Sequence, residues 1–435
     1  MDKNYELICY NGDCSKIKGE ASNVFFPETV AEIKKLVLDF KDIVPRGMGS
    51  NVVGGCVPYN SVVIDMKKMN RIDFDIKSKS VYVGAGVSIK ELNEKLKSID
   101  YEFPIFGEGS IGGMIAMNVC SLMGVYGNIK DWISEIEFVN GNAEFIKSIK
   151  SDLNEICGLE GITGIIVGAK LKIIPYIKRS ASIFQSSSLE EIFLTAKKLR
   201  VINSVAMLRF YSPYLSKLLG FPEKYHIIVV FNHDKGKIKG EEYKKLFERI
   251  RKDYYIFYKN GYRESEDPKF LFEKIREFVF FLNRLNIHYT GDFIQGIIYP
   301  YFDDDLKKFE VIKMIKRMNG VPGKYGIGIK RKDRIDDLQK KIVKRIKLRY
   351  DPFLKFNKDK YIDYYEMEIY KESIERKREE NPDKMMDEFI EEMEKEEVLK
   401  MDKFDSRENI ELDKEIIDKI LFNKDPKEIK EDKDG

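Results

Sequence analysis

The sequence predicts an α+β protein with three parts: a first globular unit organised by glycine-rich loops, a second mixed unit, and a charge-dense helical extension. Three observations carry this. Glycine is concentrated in the loops Pro45 to Gly55, Gly109 to Asn118 and Cys157 to Ile166, each beside a short strand or a capped helical stretch. From Arg179 to about Lys330 glycine thins, and amphipathic helical stretches alternate with apolar strands. Beyond Tyr361 the chain is rich in charge, helix-prone and nearly free of glycine.

The elements follow in order. "ASNVFFPETVAEIKKLVLDFKDIVPRG" reads as a short strand, a turn at Pro27 and a helix from Thr29 to about Phe40. That helix carries apolar residues at Val30, Ile33, Leu36 and Val37, and a strand then leads into the first loop. The loop, "PRGMGSNVVGG", contains G-x-G, but Val52 stands where a Rossmann fingerprint has its third glycine or alanine. The chain then turns at Pro58 to Asn60 into a strand, Ser61 to Met66, so no helix opens behind the loop. What remains is a glycine nest whose backbone N–H groups converge on an anion. "SVYVGAGVSIKELNEKLKS" gives a strand and a helix capped by Ser88, with Glu91 three residues on. After the second and third loops an alternating strand ends at Pro175. The second unit holds helices in "SLEEIFLTAKKLRVI", "KGEEYKKLFERIRKDYY" and "PKFLFEKIREFVFFLNRL", between strands in "YHIIVVFN" and "GDFIQGIIYP". The extension has an apolar helical stripe at Leu412, Ile416, Ile417, Ile420 and Leu421.

Composition excludes several classes. The 435 residues allow two or three domains, and 43% hydrophobic with 34% charged residues describes a water-soluble globular chain. The start, "MDKNYELICYNGD", has no basic segment followed by an apolar core, and no run approaches the roughly 18 residues of a membrane span. We therefore expect a cytoplasmic protein without a transmembrane segment. Cys9, Cys14, Cys56, Cys120 and Cys157 are odd in number and include no C-x-x-C pair, so neither a disulfide framework nor an iron–sulfur or zinc knuckle fits. Residues 366 to 435 hold 15 Lys/Arg against 26 Asp/Glu, while the rest of the chain holds 61 against 47. An acidic tail thus follows a basic body, but no basic cluster interleaved with aromatics points to nucleic acid.

Four segments in register carry a resemblance. "PRGMGSNVVGG", "GSIGGMIAMN", "VYGNIKDW" and "GLEGITGII" are similar to the P-R-G-G-G-T-x-x-x-G-G, G-x-I-G-G-x-I-A-T-N, R-Y-G-x-x-x-D and G-S-E-G-T-L-G-I-I segments of one branch of the vanillyl-alcohol oxidase family. That branch includes the flavin subunit of glycolate oxidase and the D-lactate and D-2-hydroxyglutarate dehydrogenases. The resemblance implies a two-subdomain FAD-binding domain of the PCMH type at residues 1–178 and a cap, or substrate, domain at 179–330. Residues 331–360 would return to the FAD domain, and the charged helical extension would occupy 361–435. It implies FAD-binding positions at Pro45, Arg46, Gly47, Met48, Gly49, Ser50 and Asn51 in the first loop. In the second loop they are Gly109, Ser110, Ile111, Gly112, Gly113, Ala116 and Asn118, and in the third Glu160, Gly161, Gly164 and Ile166.

Some relatives tether the flavin through a histidine in these loops, but the histidines here, His226, His233 and His288, all fall outside them. We expect non-covalent FAD. "YTGDFIQGIIYP" and "GKYGIGIKRK" resemble the branch's H-x-G-D-G-N-x-H strand and E-H-G-I-G loop, whose histidines and glutamate hold a divalent metal. The matching positions here are Tyr289, Gly296, Lys324 and Tyr325, so we expect no metal. The resemblance leaves Tyr289, Asp292, Lys324 and Tyr325 at the flavin face as candidate catalytic residues, with Arg276 of "EKIREF" as a clamp for a substrate carboxylate. The implied function is a FAD-dependent dehydrogenase that takes a hydride from a small, anionic hydroxy acid or alcohol and passes electrons to a separate acceptor. The alternative is a flavin-carrying, catalytically reduced subunit that relays electrons to, or scaffolds, an iron–sulfur partner. The tail would dock such a partner or a second copy of the chain, and any membrane contact would come through a partner.

Overall fold

The computed structural model describes residues 7–380 apart from Ser265 and Lys324. Helix Val30–Asp39 starts where the Thr29 hydroxyl accepts from Glu32 N and buries Ile33 and Val37. It crosses between parallel strands Glu20–Phe25 and Ile43–Arg46, which flank Tyr59–Asp65 in a three-stranded sheet. A second sheet is antiparallel, in the order Ile72–Asp75, Ser80–Gly84, Ile165–Lys172, Ile133–Val139, Phe145–Ser148. Helix Ile89–Lys97, capped by Ser88 through Glu91 N, and the short helix Ile111–Ala116 cover it. Both sheets share one core, in which Ile33, Ile64, Val81, Phe103 and Phe138 are sealed from solvent.

The end of the chain returns to this core. Helix Asp337–Tyr350 contributes Val343, Ile346 and Tyr350, and Phe356, Tyr361, Ile362 and Met367 follow them inward. The buried Lys347 ammonium donates to Ile162 O (2.8 Å) and Phe356 O (2.7 Å) and pairs with Asp351 at 2.5 Å. The expected boundary at residue 361 is thus displaced. Tyr361, Ile362 and Met367 are core residues, and helix Tyr364–Glu380 packs on the body, with Glu366 paired to Lys344 at 2.8 Å. The tail stripe at Leu412 to Leu421 lies outside the described residues.

The cap is an antiparallel sheet whose long strands run Ser180–Ser186, Tyr225–Phe231, Val205–Tyr211, His288–Asp292, Ile297–Phe302. Strand alternation gives it two faces. One face packs Leu208, Phe210, Val229 and Tyr289 under helices Leu189–Leu199, Phe272–Arg284 and Asp305–Arg317. The other packs Met207, Tyr211, Tyr299 and Tyr301 against helices Gly240–Arg251 and Asp253–Lys259 and against Phe106, Met123 and Tyr126 of the first unit. Arg179, buried at the junction, donates to Glu102 at 2.8 Å, and Gln295 Nε2 donates to Ser121 O at 2.9 Å across it. No described helix is long and apolar enough to cross a membrane.

Candidate active site

Where the glycine loops of the first unit face the second face of the cap sheet, they enclose a cleft of about 330 Å³. This is within the size range of small-ligand sites. Strand Ile43–Arg46 delivers the first loop, which Asn51 folds by accepting Val53 N (2.9 Å) and Gly55 N (2.8 Å) on its Oδ1. The second loop lies directly on the turn at Ala85. Gly112 N donates to Ala85 O at 2.9 Å, and a Cβ on Gly112 would stand 2.7 Å from the Ala85 Cβ, so only glycine lets the helix seat there. Between the loops, the Ser110 hydroxyl is buried with no hydrogen-bond partner among the described residues, and it lines the cleft.

Pro45 and Gly47 to Asn51 line the cleft from the first loop, with Met48 exposed at its rim, and Gly109, Ser110, Gly113 and Ala116 line it from the second. A narrower continuation is walled by Arg46, Gly112, Glu160, Gly161, Gly164 and Ile166. The Ile111 side chain is sealed in the core, and Asn118 Oδ1 accepts from Lys130 N (3.4 Å) and the Cys157 thiol (3.5 Å), so neither lines the cleft. The Arg46 guanidinium donates to Gly12 O (2.8 Å) and Cys56 O and lies over the Tyr10 ring, which fastens the N-terminal segment beneath the loop. Glu160 also has a use the sequence did not show. Its carboxylate accepts Ile327 N (2.5 Å) and Gly328 N (2.8 Å), tying the third loop to the turn before residue 330. Burial raises its pKa to about 7, opposed by those two N–H groups and by Arg331 and Lys360.

On the cap side the structure separates the candidate catalytic residues. Asp292 and Tyr325 line the cleft. The Asp292 Oδ1 accepts Ile294 N at 2.8 Å and Gln295 N at 3.0 Å. Tyr289 points the other way, because it sits three positions from Asp292 on an alternating strand. It is sealed in the helix-covered core, and its hydroxyl donates to Asn283 at 2.9 Å. Arg276 is exposed on helix Phe272–Arg284 and ion-paired with Glu190, so it lies outside the cleft. Lys324 lies outside the described residues. The sequence reading missed Arg209, Asp253, Gln295 and Tyr299, all in the cleft wall. A signal for the first was present: a single arginine in the otherwise apolar run "VAMLRFY".

The histidines sit in stacked contacts within the cap, His288 on Tyr214, His226 on Phe221 and His233 on Phe231, and burial lowers the pKa of each. At Gly296 an added Cβ would stand 2.2 Å from Phe270 O, so this position has no room for a side chain. No three His, Cys, Asp or Glu side chains are grouped to hold a metal ion among the described residues.

A buried, unpartnered hydroxyl between glycine loops that face a cleft suits a phosphate-bearing ligand, and the comparisons agree. The family described as FAD binding domain matches residues 21–148. The chain is 31% identical over 207 residues to a D-lactate dehydrogenase of Anaerostipes hadrus, covering 44% of this chain and 43% of that one. It is 26% identical over 195 residues to the glycolate oxidase subunit GlcD of Bacillus subtilis, covering 40% and 42%. The chain thus spans under half the length of these curated relatives. Among solved structures it is similar to an alkyldihydroxyacetonephosphate synthase, with a TM-score of 0.56 and 16% identity over 76% of this chain and 75% of that one, a likeness of fold. The glycine loops, their cleft and the family match together identify residues 21–148 as an FAD binding domain of the PCMH type.

Proposed function

We propose that the chain is a FAD-dependent dehydrogenase acting on the CH–OH carbon of a small hydroxy acid. The observation that carries this reading is the cleft itself, with glycine loops on one wall and buried polar side chains of the cap, Arg209 and Asp292 among them, on the other. FAD, when bound, supplies a two-electron acceptor. The residues of the chain bind, orient and exclude water. Gly47 to Asn51 and the Ser110 hydroxyl would hold the dinucleotide's phosphates, with Gly112 and Gly113 bringing the backbone alongside. Phe106, Leu122 and Ile250 add apolar surface to the lining. Asp292, kept in place by two backbone N–H groups, would take the hydroxyl proton of the substrate.

A second reading is that the chain relays electrons to a partner subunit without oxidising a substrate itself. It is favoured by the positions that match the relatives' metal ligands: Tyr289 faces the wrong side of its strand, and Gly296 cannot accommodate a side chain. The relative named as a glycolate oxidase subunit supports a multisubunit setting. Anaerobic mixing of the FAD-loaded protein with a panel of 2-hydroxy acids and alditols separates the two. Bleaching of the flavin by a hydroxy acid is expected, and failure of every compound to bleach it overturns the first reading.

A further inference from the structure

We propose that Arg209 anchors the carboxylate of the substrate, and that the substrate is a monocarboxylate. This deepens the dehydrogenase reading and rests on it. Arg209 lies on strand Val205–Tyr211, where alternation turns Leu208 and Phe210 to the helix-covered core and turns Met207, Arg209 and Tyr211 toward the first unit. It is the register partner of Asp292, so anchor and proton acceptor stand side by side on one face. The side chain is 6% exposed and lines the cleft. Nη2 donates to Asp253 Oδ2 at 2.9 Å, and the guanidinium lies over the Tyr299 ring at 4.9 Å. Nε is buried with no hydrogen-bond partner among the described residues.

A buried N–H without an acceptor is a position a ligand fills, and a planar guanidinium with donors to spare matches a carboxylate. Asp253 acts here as a positioning residue. Its Oδ2 accepts from Arg209 and from the Tyr211 hydroxyl (2.9 Å), and its Oδ1 from Tyr254 N (2.6 Å), so it fixes the arginine and offsets its charge. The charge inventory of the cleft limits the ligand further. Among the described residues its wall holds two guanidiniums, Arg209 and Arg251, and four carboxylates, Glu108, Glu160, Asp253 and Asp292. Arg251 is engaged by Glu108 and Glu248. Among the described residues, a second anionic group on the substrate would find no spare cation in this wall.

The test uses the FAD-loaded full chain and reads the flavin absorption spectrum, which shifts when a ligand packs beside the ring and requires no turnover. Probes are oxamate, lactate, a longer 2-hydroxy acid, the neutral lactamide and the dianionic malate. We expect at least one monocarboxylate to bind, lactamide and malate to bind about 100-fold more weakly, and Arg209→Lys to weaken the monocarboxylate by about 100-fold at unchanged flavin content. Asp253→Asn should weaken the carboxylate while leaving lactamide unaffected, which a merely structural role would not do. Equal binding of lactate and lactamide by the unaltered protein overturns the proposal, even if no variant folds. Failure of all the monocarboxylates to shift its spectrum does the same. A monocarboxylate that binds through Arg209 while no hydroxy acid bleaches the flavin keeps the anchor and removes the dehydrogenase reading.

Discussion

Replacing Glu160 by glutamine isolates a pH dependence whose size follows from the structure. The carboxylate is completely enclosed and its pKa rises from the ordinary 4.5 to about 7, first because burial disfavours its charge. Between those values the folded chain keeps a proton that the unfolded chain has released. Stability therefore falls as pH rises through this window, and it is flat below it. Two and a half pKa units correspond to about 3 kcal/mol. Glutamine cannot titrate, so the difference in unfolding free energy between the natural protein and Glu160→Gln should shrink or reverse by about that amount from pH 4.5 to pH 8. Any constant offset, from an amide N–H facing Ile327 N and Gly328 N, shifts the variant's curve without changing its slope. Urea unfolding at fixed pH values, followed by fluorescence, is the assay. The single tryptophan, Trp132, lies in the unit that contains Glu160, so separate melting of the cap does not confuse it. Parallel pH curves for the two proteins would refute the reasoning.

Other outcomes follow from the same geometry. Gly112→Val should abolish flavin retention, since its branched side chain meets Ala85 where even a Cβ comes to 2.7 Å; normal flavin content in the purified variant would show the second loop is misassigned. Acid precipitation should leave the flavin in the supernatant from both the natural protein and Cys120→Ser, the thiol that lines the cleft; colour in the pellet contradicts this. Arg276→Ala should leave kcat and KM within about twofold, as expected of an exposed ion pair, and Tyr289→Phe should cost about 1 kcal/mol of stability through Asn283 with little change in kcat. Ending the chain after residue 380 should preserve flavin content. Ending it after residue 360 should destabilise by about 5 kcal/mol, because Tyr361, Ile362 and Met367 leave the core; equal denaturation midpoints for the two truncations would place the boundary back at 361.

The features legible in the sequence are those whose physical cause is local. Thr29 and Ser88 announce helix starts because the cap bond spans only three residues, and the glycine loops declare themselves because close backbone approach needs a missing side chain. Glu160 and Lys347 were opaque for the opposite reason. Their partners, Ile327 N and Ile162 O, lie 167 and 185 residues away, and nothing at either end of the pair hints at the other. Tyr289 and Asp292 show a subtler limit. The motif that placed both at the flavin face aligns residues by order along the chain, whereas a strand sorts them by parity, and an odd and an even position cannot share a face without a bulge. The same rule, applied to "VAMLRFY", puts Arg209 with Met207 and Tyr211 once one of them is known to face the first unit. Which face that is depends on helices Leu189–Leu199 and Phe272–Arg284 covering the other, and so on the packing of the whole cap. The glycine loops that would hold the cofactor have a geometry written locally, whereas the side chains proposed to choose the substrate take directions that only the assembled sheet decides.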